Sequence, residues 1–229
     1  MPDFAQLEER LGVSFRDKGL LQLAFTHRSY LNEHRGEVKE HNERIEYLGD
    51  AVLELAVTNY LYHEFPETPE GELTAYRAAL VNTQTLSMIA DGLGMNDYLL
   101  LSKGEAQDTG RARVYILANT FEAFLGALYL DQGYEAAEKF VEAHLFPHTK
   151  EVIEKELWKD AKSRLQEEAQ ERISVTPHYE VVKAEGPDHA KEFTIAVMFG
   201  EEMVAEGTGS SKQEAEQQAA ERALSAKGW

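Results

Sequence analysis

Apolar residues recur with a helical period over most of the chain up to Leu145. Phe4, Leu7 and Leu11 fall on one side of a first segment, so residues 3–11 are predicted helical, closed by Gly12. A second helix is expected from Phe15 through Phe25, carrying Leu20, Leu21 and Leu23. The longest periodic segment, residues 42–62, reads as one helix with Ile45, Leu48, Val52, Leu55 and Ala56 on its buried side. Pro66, Pro69 and Gly71 then mark a turn. Further helices are expected from Glu70, with Tyr76, Leu80 and Val81 inward, over Thr83–Leu93, through the apolar stretch from Ile116, and over Tyr134–Leu145. The polar stretches 32–41 and 103–113 read as loops, the second of them mobile.

The pattern changes after Pro147. Residues 147–159 are a charged connection, and 160–171 return to a helical period. Alternation with period two then appears in 179–183, 191–199 and 202–209, separated by glycine-containing turns. A helix over 212–226 follows. The fold class is a mostly α domain followed by a small α+β domain of order αβββα. The expected divisions are 1–150, a linker at 151–159, and 160–229.

The polar side of the long helix carries candidate chemistry. Each helical residue advances about 100°. With Glu43 at zero, Glu46 falls at about −60° and Asp50 at about −20°, so these acids share one stripe. Like charges at this spacing repel. Such a stripe is either a solvated acidic face or a place where a cation or a proton offsets the charge. In the second apolar stretch Asn119 and Glu122 are three positions apart and share a face. Ala118, Ala123, Gly126 and Ala127 there are small enough to admit a second helix closely.

Composition narrows the function classes. The chain has no cysteine, which excludes disulfides, thiol catalysis and zinc fingers. It has no apolar run long enough to span a membrane. The start, Met1-Pro2-Asp3-Phe4, lacks the basic and apolar regions of a signal peptide, so a cytoplasmic location is expected. The formal net charge of −18 weighs against nucleic-acid binding unless basic groups are locally clustered or metal ions supply positive charge.

Residues 42–50 read Asn-Glu-Arg-Ile-Glu-Tyr-Leu-Gly-Asp. This string resembles the signature of the ribonuclease III family, with Ile45 and Tyr47 as mild replacements. Other stretches agree with that resemblance in order along the chain. Phe25 to Tyr30 resembles the family's Phe-Thr-His-x-Ser-Tyr element, in which His27 reads as a core or capping residue. Glu70-Gly71-x-Leu73-Thr74-x-x-Arg77 and Leu117-Ala118-Asn119-x-x-Glu122-Ala123 match two further elements. At one point the chain departs: Asn119 stands where the family has aspartate. Residues 160–229 resemble a double-stranded-RNA-binding domain, from Asp160-Ala161-Lys162-Ser163 through Gly186-Pro187-Asp188-His189 to Gly209-Ser210-Ser211-Lys212.

The resemblance implies metal-dependent hydrolysis of double-stranded RNA, in RNA processing, leaving 5′-phosphate and 3′-hydroxyl ends. It implies that Glu46, Asp50 and Glu122 are catalytic. With Asn119 they would form a cup of oxygens for magnesium, or manganese, which favour such ligands. Metal there can lower the pKa of bound water. No small-molecule cofactor is implied. Glu43 and Glu70 would sit nearby as outer-shell groups. Gln166 and His189 would reach minor grooves, and Ser211 and Lys212 would clamp phosphate. A homodimer is expected, with Tyr47 at the subunit contact. Residues 160–229 hold 8 Lys/Arg and 14 Asp/Glu, so RNA binding by this domain alone should be weak and salt-sensitive. Asn119 keeps a second outcome in view, a double-stranded-RNA-binding protein of the same fold that cuts weakly or not at all.

Overall fold

A computed structural model describes residues 2–34, 36, 39–154, 161–186 and 191–229. The chain falls into two compact units divided between residues 158 and 159.

The first unit is helical. Its elements are α1 (Phe4–Leu11), α2 (Lys18–Ala24), α3 (Arg28–Glu33), α4 (Glu43–Glu64), α5 (Glu70–Leu80), α6 (Thr83–Gly92), α7 (Lys103–Gln107), α8 (Arg111–Gln132), α9 (Tyr134–His144) and α10 (Thr149–Glu154). Local chemistry sets many of the ends. Asp3 and Asp17 cap α1 and α2 by accepting from the N–H groups of Ala5 and Gly19. Gly12 closes α1 in the left-handed region at φ 66°.

The centre of the unit is α8. Phe121, Phe124, Leu125 and Leu128 are essentially inaccessible, because α2, α4, α6 and α9 cover it on several sides. The closest crossing is with α4. A Cβ added at Gly49 would lie 1.7 Å from the Glu122 carbonyl oxygen, and one at Gly126 would lie 2.1 Å from that of Ile45. Only glycine at both positions permits this approach, which brings the acid stripe of α4 against Asn119 and Glu122 of α8.

The entrance to α4 is tied down by the signature's first residue. Asn42 is buried; its backbone N–H donates to Thr26 and its side-chain amide donates to the Ala24 carbonyl at 3.1 Å. Asp131, near the end of α8, accepts the backbone N–H groups of Arg16 and Asp17, each at 2.8 Å. Burial is the largest single influence on its carboxyl and acts upward, but those two bonds, a further one from Gln132 and the Arg16 charge together hold it below the ordinary range.

Three expectations need correction. Leu55 is not in the core: it is 56% exposed and shares the outer side of α4 with Tyr47, at 81%, and Tyr62, at 67%. The stretch 103–113 is not simply a loop. Ser102 caps α7 by accepting from Glu105 N–H, and the Arg113 guanidinium donates to the carbonyls of Glu105 and Ala106. The chain is also still packed beyond residue 150, since Val152 of α10 is buried in the first unit's core.

The second unit contains α11 (Ala161–Ile173), β1 (His178–Glu185), β2 (Glu192–Phe199), β3 (Glu202–Gly209) and α12 (Lys212–Lys227). The strands form one antiparallel sheet in the order β1-β2-β3. Tyr179, Val197 and Ala205 stand opposite one another across it. Leu165, Ala169, Val197, Phe199, Ala219, Ala220 and Leu224 make the core between sheet and helices. Gly207 lets α12 rest on β3, since a Cβ there would lie 2.3 Å from both Ala215 O and Ala219 N.

Candidate active site

The stripe on α4 and the face of α8 meet as their spacing allows. Asp50 is exposed, whereas Glu46, Asn119 and Glu122 are half-buried. Glu122 is the most strained electrostatically. Burial, then the charges of Asp50, Glu46 and Glu54, push its carboxyl up to about 8. Glu46 is also raised, chiefly by burial and by Glu43, while a hydrogen bond from Asn119 works in the opposite direction. An amide nitrogen is the donor toward a carboxylate, so Asn119 turns its NH2 to Glu46 in this arrangement.

Glu54 is a member that the sequence reading missed. It lies four positions beyond Asp50 and so continues the same stripe. Its carboxylate pairs with Arg77 Nε at 2.8 Å, and Arg77 Nη1 donates to Thr58 Oγ1 at 2.9 Å. The arginine of the Glu-Gly-x-Leu-Thr-x-x-Arg element therefore reaches the acid stripe from α5.

Glu70, from the same element, does not. Within one chain it lines a cavity of about 600 Å³ with Thr58, Tyr62, Phe65 and Arg77, beside the C-terminal half of α4. Thr58 is eight residues beyond Asp50, a rise of about 12 Å. Glu43 does stay close: with Glu46, Asn119, His27 and Arg28 it lines a second recess of about 540 Å³. Its carboxylate faces Arg28 Nη1 at 3.6 Å and His41 Nδ1 at 3.8 Å.

A divalent cation is the chemistry these groups could accommodate. The donors are oxygens, three carboxylates and one carboxamide, and their mutual repulsion is what a cation removes. Among the described residues no three His, Asp or Glu side chains already converge on one point at ligand spacing. The α4–α8 crossing holds the backbones that carry these four side chains close together.

In the second unit Ser211 caps α12, its Oγ accepting from Glu214 N–H at 3.2 Å. Glu214 reaches back to Ser210, accepting from its N–H at 2.9 Å and its Oγ at 2.6 Å. Lys212 is exposed at the first turn of α12, and Gln166 is exposed on α11. Lys162 is drawn inward to Glu216 at 2.5 Å. His189 lies outside the described residues.

A helical unit with an acid-lined cleft, joined to an αβββα unit, defines a nuclease coupled to a duplex-RNA-binding module. Comparison with known proteins agrees. A family model described as Ribonuclease-III-like matches residues 17–149, and one described as Double-stranded RNA binding motif matches residues 161–226. Ribonuclease 3 of Oceanobacillus iheyensis is 48% identical over 223 residues, covering 97% of each chain. Ribonuclease 3 of Enterococcus faecalis is 49% identical over 220 residues, covering 96% of this chain and 95% of that one. The nuclease domain of ribonuclease III from Campylobacter jejuni superposes with a TM-score of 0.58 at 38% identity, covering 63% of this chain and 97% of that domain. The chain belongs to the ribonuclease III family and is an endoribonuclease of double-stranded RNA. Family members are metal-dependent. Among the described residues no helix is long and apolar enough to cross a membrane.

Proposed function

We propose that Glu46, Asp50, Asn119 and Glu122 hold magnesium, with manganese as a substitute, and that cleavage leaves 5′-phosphate and 3′-hydroxyl ends. The observation that carries this reading is the position of Glu122, half-buried among the charges of Asp50, Glu46 and Glu54. A magnesium ion, when bound, supplies positive charge against the charge developing on the phosphate oxygens and the water that attacks phosphorus. Glu122 keeps a proton at neutral pH until a cation compensates its neighbours. Glu46 and Asp50, one turn apart on α4, place two acceptors along one line of the cleft. Asn119 offers a carbonyl oxygen once its amide turns, one acceptor and one charge fewer than aspartate. Glu43 and Arg28 border the cleft and meet the RNA strand rather than the ion.

We assign double-stranded RNA binding outside the cleft to Gln166, His189, Ser211 and Lys212. Residues 1–150 would form the nuclease and 160–229 the RNA-binding domain, acting in RNA processing in the cytoplasm. The functional form is a homodimer, because one cleft cuts one strand. The exposed Tyr47, Leu55 and Tyr62 on α4 support this. So does the nuclease domain from Campylobacter jejuni, in which a region is involved in dimer formation. Glu70, which lines a different recess from Glu43, Glu46 and Asn119, would then serve as an outer group if a second subunit delivers it.

The test is cleavage of a labelled duplex over a magnesium series. Glu122→Gln should abolish cutting while duplex binding persists. Full activity of Glu122→Gln at low magnesium would overturn the ligand assignment. Light scattering should give twice the chain mass, and Tyr47→Lys should lower it toward the monomer. A native monomer at micromolar concentration would refute the dimer.

A further inference from the structure

The recess beside the acids has a feature the ligand assignment does not use. His27 caps α3, and its Nδ1 accepts from the Ser29 N–H at 3.3 Å. The Ser29 hydroxyl lies 2.8 Å from the same nitrogen and itself accepts from the Ser102 N–H at 3.1 Å. A backbone N–H can only donate, so Nδ1 is an acceptor and the ring proton sits on Nε2. Nε2 has no partner among the described residues. Burial, the largest influence, lowers the imidazole's pKa and favours the neutral ring, and Arg28 and His41 act in the same direction. Glu105 and Glu43 oppose this. The fold thus fixes the tautomer of a neutral N–H donor in a cleft that continues into Glu46 and Asn119.

The surroundings define what this donor can meet. Glu43, Glu46 and Glu105 line the recess, against one guanidinium, Arg28, which already faces Glu43. Net negative charge disfavours a phosphate there. A ribose 2′-hydroxyl suits it, because it accepts from Nε2–H and donates to a neighbouring carboxylate at once. DNA lacks this group.

We propose that the His27 recess is a ribose-hydroxyl subsite that engages a 2′-OH of the strand next to the cut and contributes to the choice of RNA over DNA. The inference rests on the duplex lying across the Glu46–Glu122 cleft. It gives His27 a contact with substrate in addition to its capping role.

The test uses His27→Asn, which keeps a side-chain acceptor for the helix cap but removes the ring N–H. Duplexes carrying a single 2′-deoxy sugar at each position around the cut are cleaved under single-turnover conditions at saturating protein. The native chain should slow by about threefold to tenfold at one position, the loss of one hydrogen bond. His27→Asn should slow on all-RNA duplex by a similar factor, show no further loss at that position, and keep the native response elsewhere. Its melting temperature should be unchanged, and a purely structural role would not move the deoxy profile. The proposal is overturned if the two defects multiply at every position, if His27→Asn cuts at the native rate, or if sensitivity follows base identity instead of the sugar. Affinity for the same duplexes in calcium gives the coupling independently of cutting. A native chain that binds with the expected deoxy profile but does not cut would refute the catalytic reading and leave the subsite standing.

Discussion

Glu122→Gln should stabilise the metal-free protein, and the gain should depend on pH. The carboxyl's ordinary value is 4.5, and the folded chain raises it to about 8. A raised carboxylate contributes stability that is fully present below its unfolded pKa and is lost as pH rises through its folded pKa. Below about pH 4 both states carry the proton and nothing is lost. From there to about pH 8 the unfolded chain releases the proton while the folded one retains it, so native stability falls. A fully enclosed group would lose about 1.4 kcal/mol per pH unit over that range. Glu122 is only half-buried, and solvent screening reduces the total to about 1–2 kcal/mol near pH 8. Glutamine keeps the shape and has nothing to ionise. Scanning calorimetry in chelator should therefore show the nuclease transition about 3–6 °C higher for Glu122→Gln near pH 8. The two forms should melt together near pH 4. Magnesium should narrow or reverse the difference, because it stabilises the native carboxylates and not the amide. A gain of equal size at both pH values would refute the electrostatic account. So would a native chain more stable than Glu122→Gln near pH 8 without metal.

Other changes probe the remaining links. Gly126→Ala would set a methyl 2.1 Å from the Ile45 carbonyl oxygen, so chemical denaturation should show a loss of about 3 kcal/mol or more. Asn119→Asp removes the amide donor to Glu46 and adds a charge; it should lower metal-free stability yet raise cleavage by about tenfold or more at low magnesium, or about 1.4 kcal/mol of transition-state stabilisation. Equal cutting by both forms at low magnesium would show that position 119 is not a required ligand. Lys212→Ala should weaken duplex binding to the same degree at every sequence, because the expected contact is with phosphate, and filter binding at moderate salt would detect an unaffected clamp.

The sequence by itself determined the features that depend on one helix turn or on strand alternation. Glu43, Glu46 and Asp50 had to share a stripe, and Asn119 a face with Glu122, because both pairings follow from about 100° per residue. Alternation placed the three strands of the second unit, the third at its exact bounds and the first two within a residue or two at their ends. Glu54 was legible in the same stripe, though its pairing with Arg77 was not, since that depends on how α5 lies along α4. Tertiary structure alone decided which faces met. Gly126 was legible as a place where a second helix could come close, but that the partner is Gly49 of α4 emerges only when the two helices cross backbone to backbone, and burial at that crossing raises Glu122. Tertiary structure also placed Glu70 in a different recess from the one that Glu43, Glu46 and Asn119 line. Leu55 shows the limit most directly. Hydrophobic periodicity groups apolar residues on one face, but it does not tell an exposed apolar face from one packed in the core of the same chain, because both carry the same residue types.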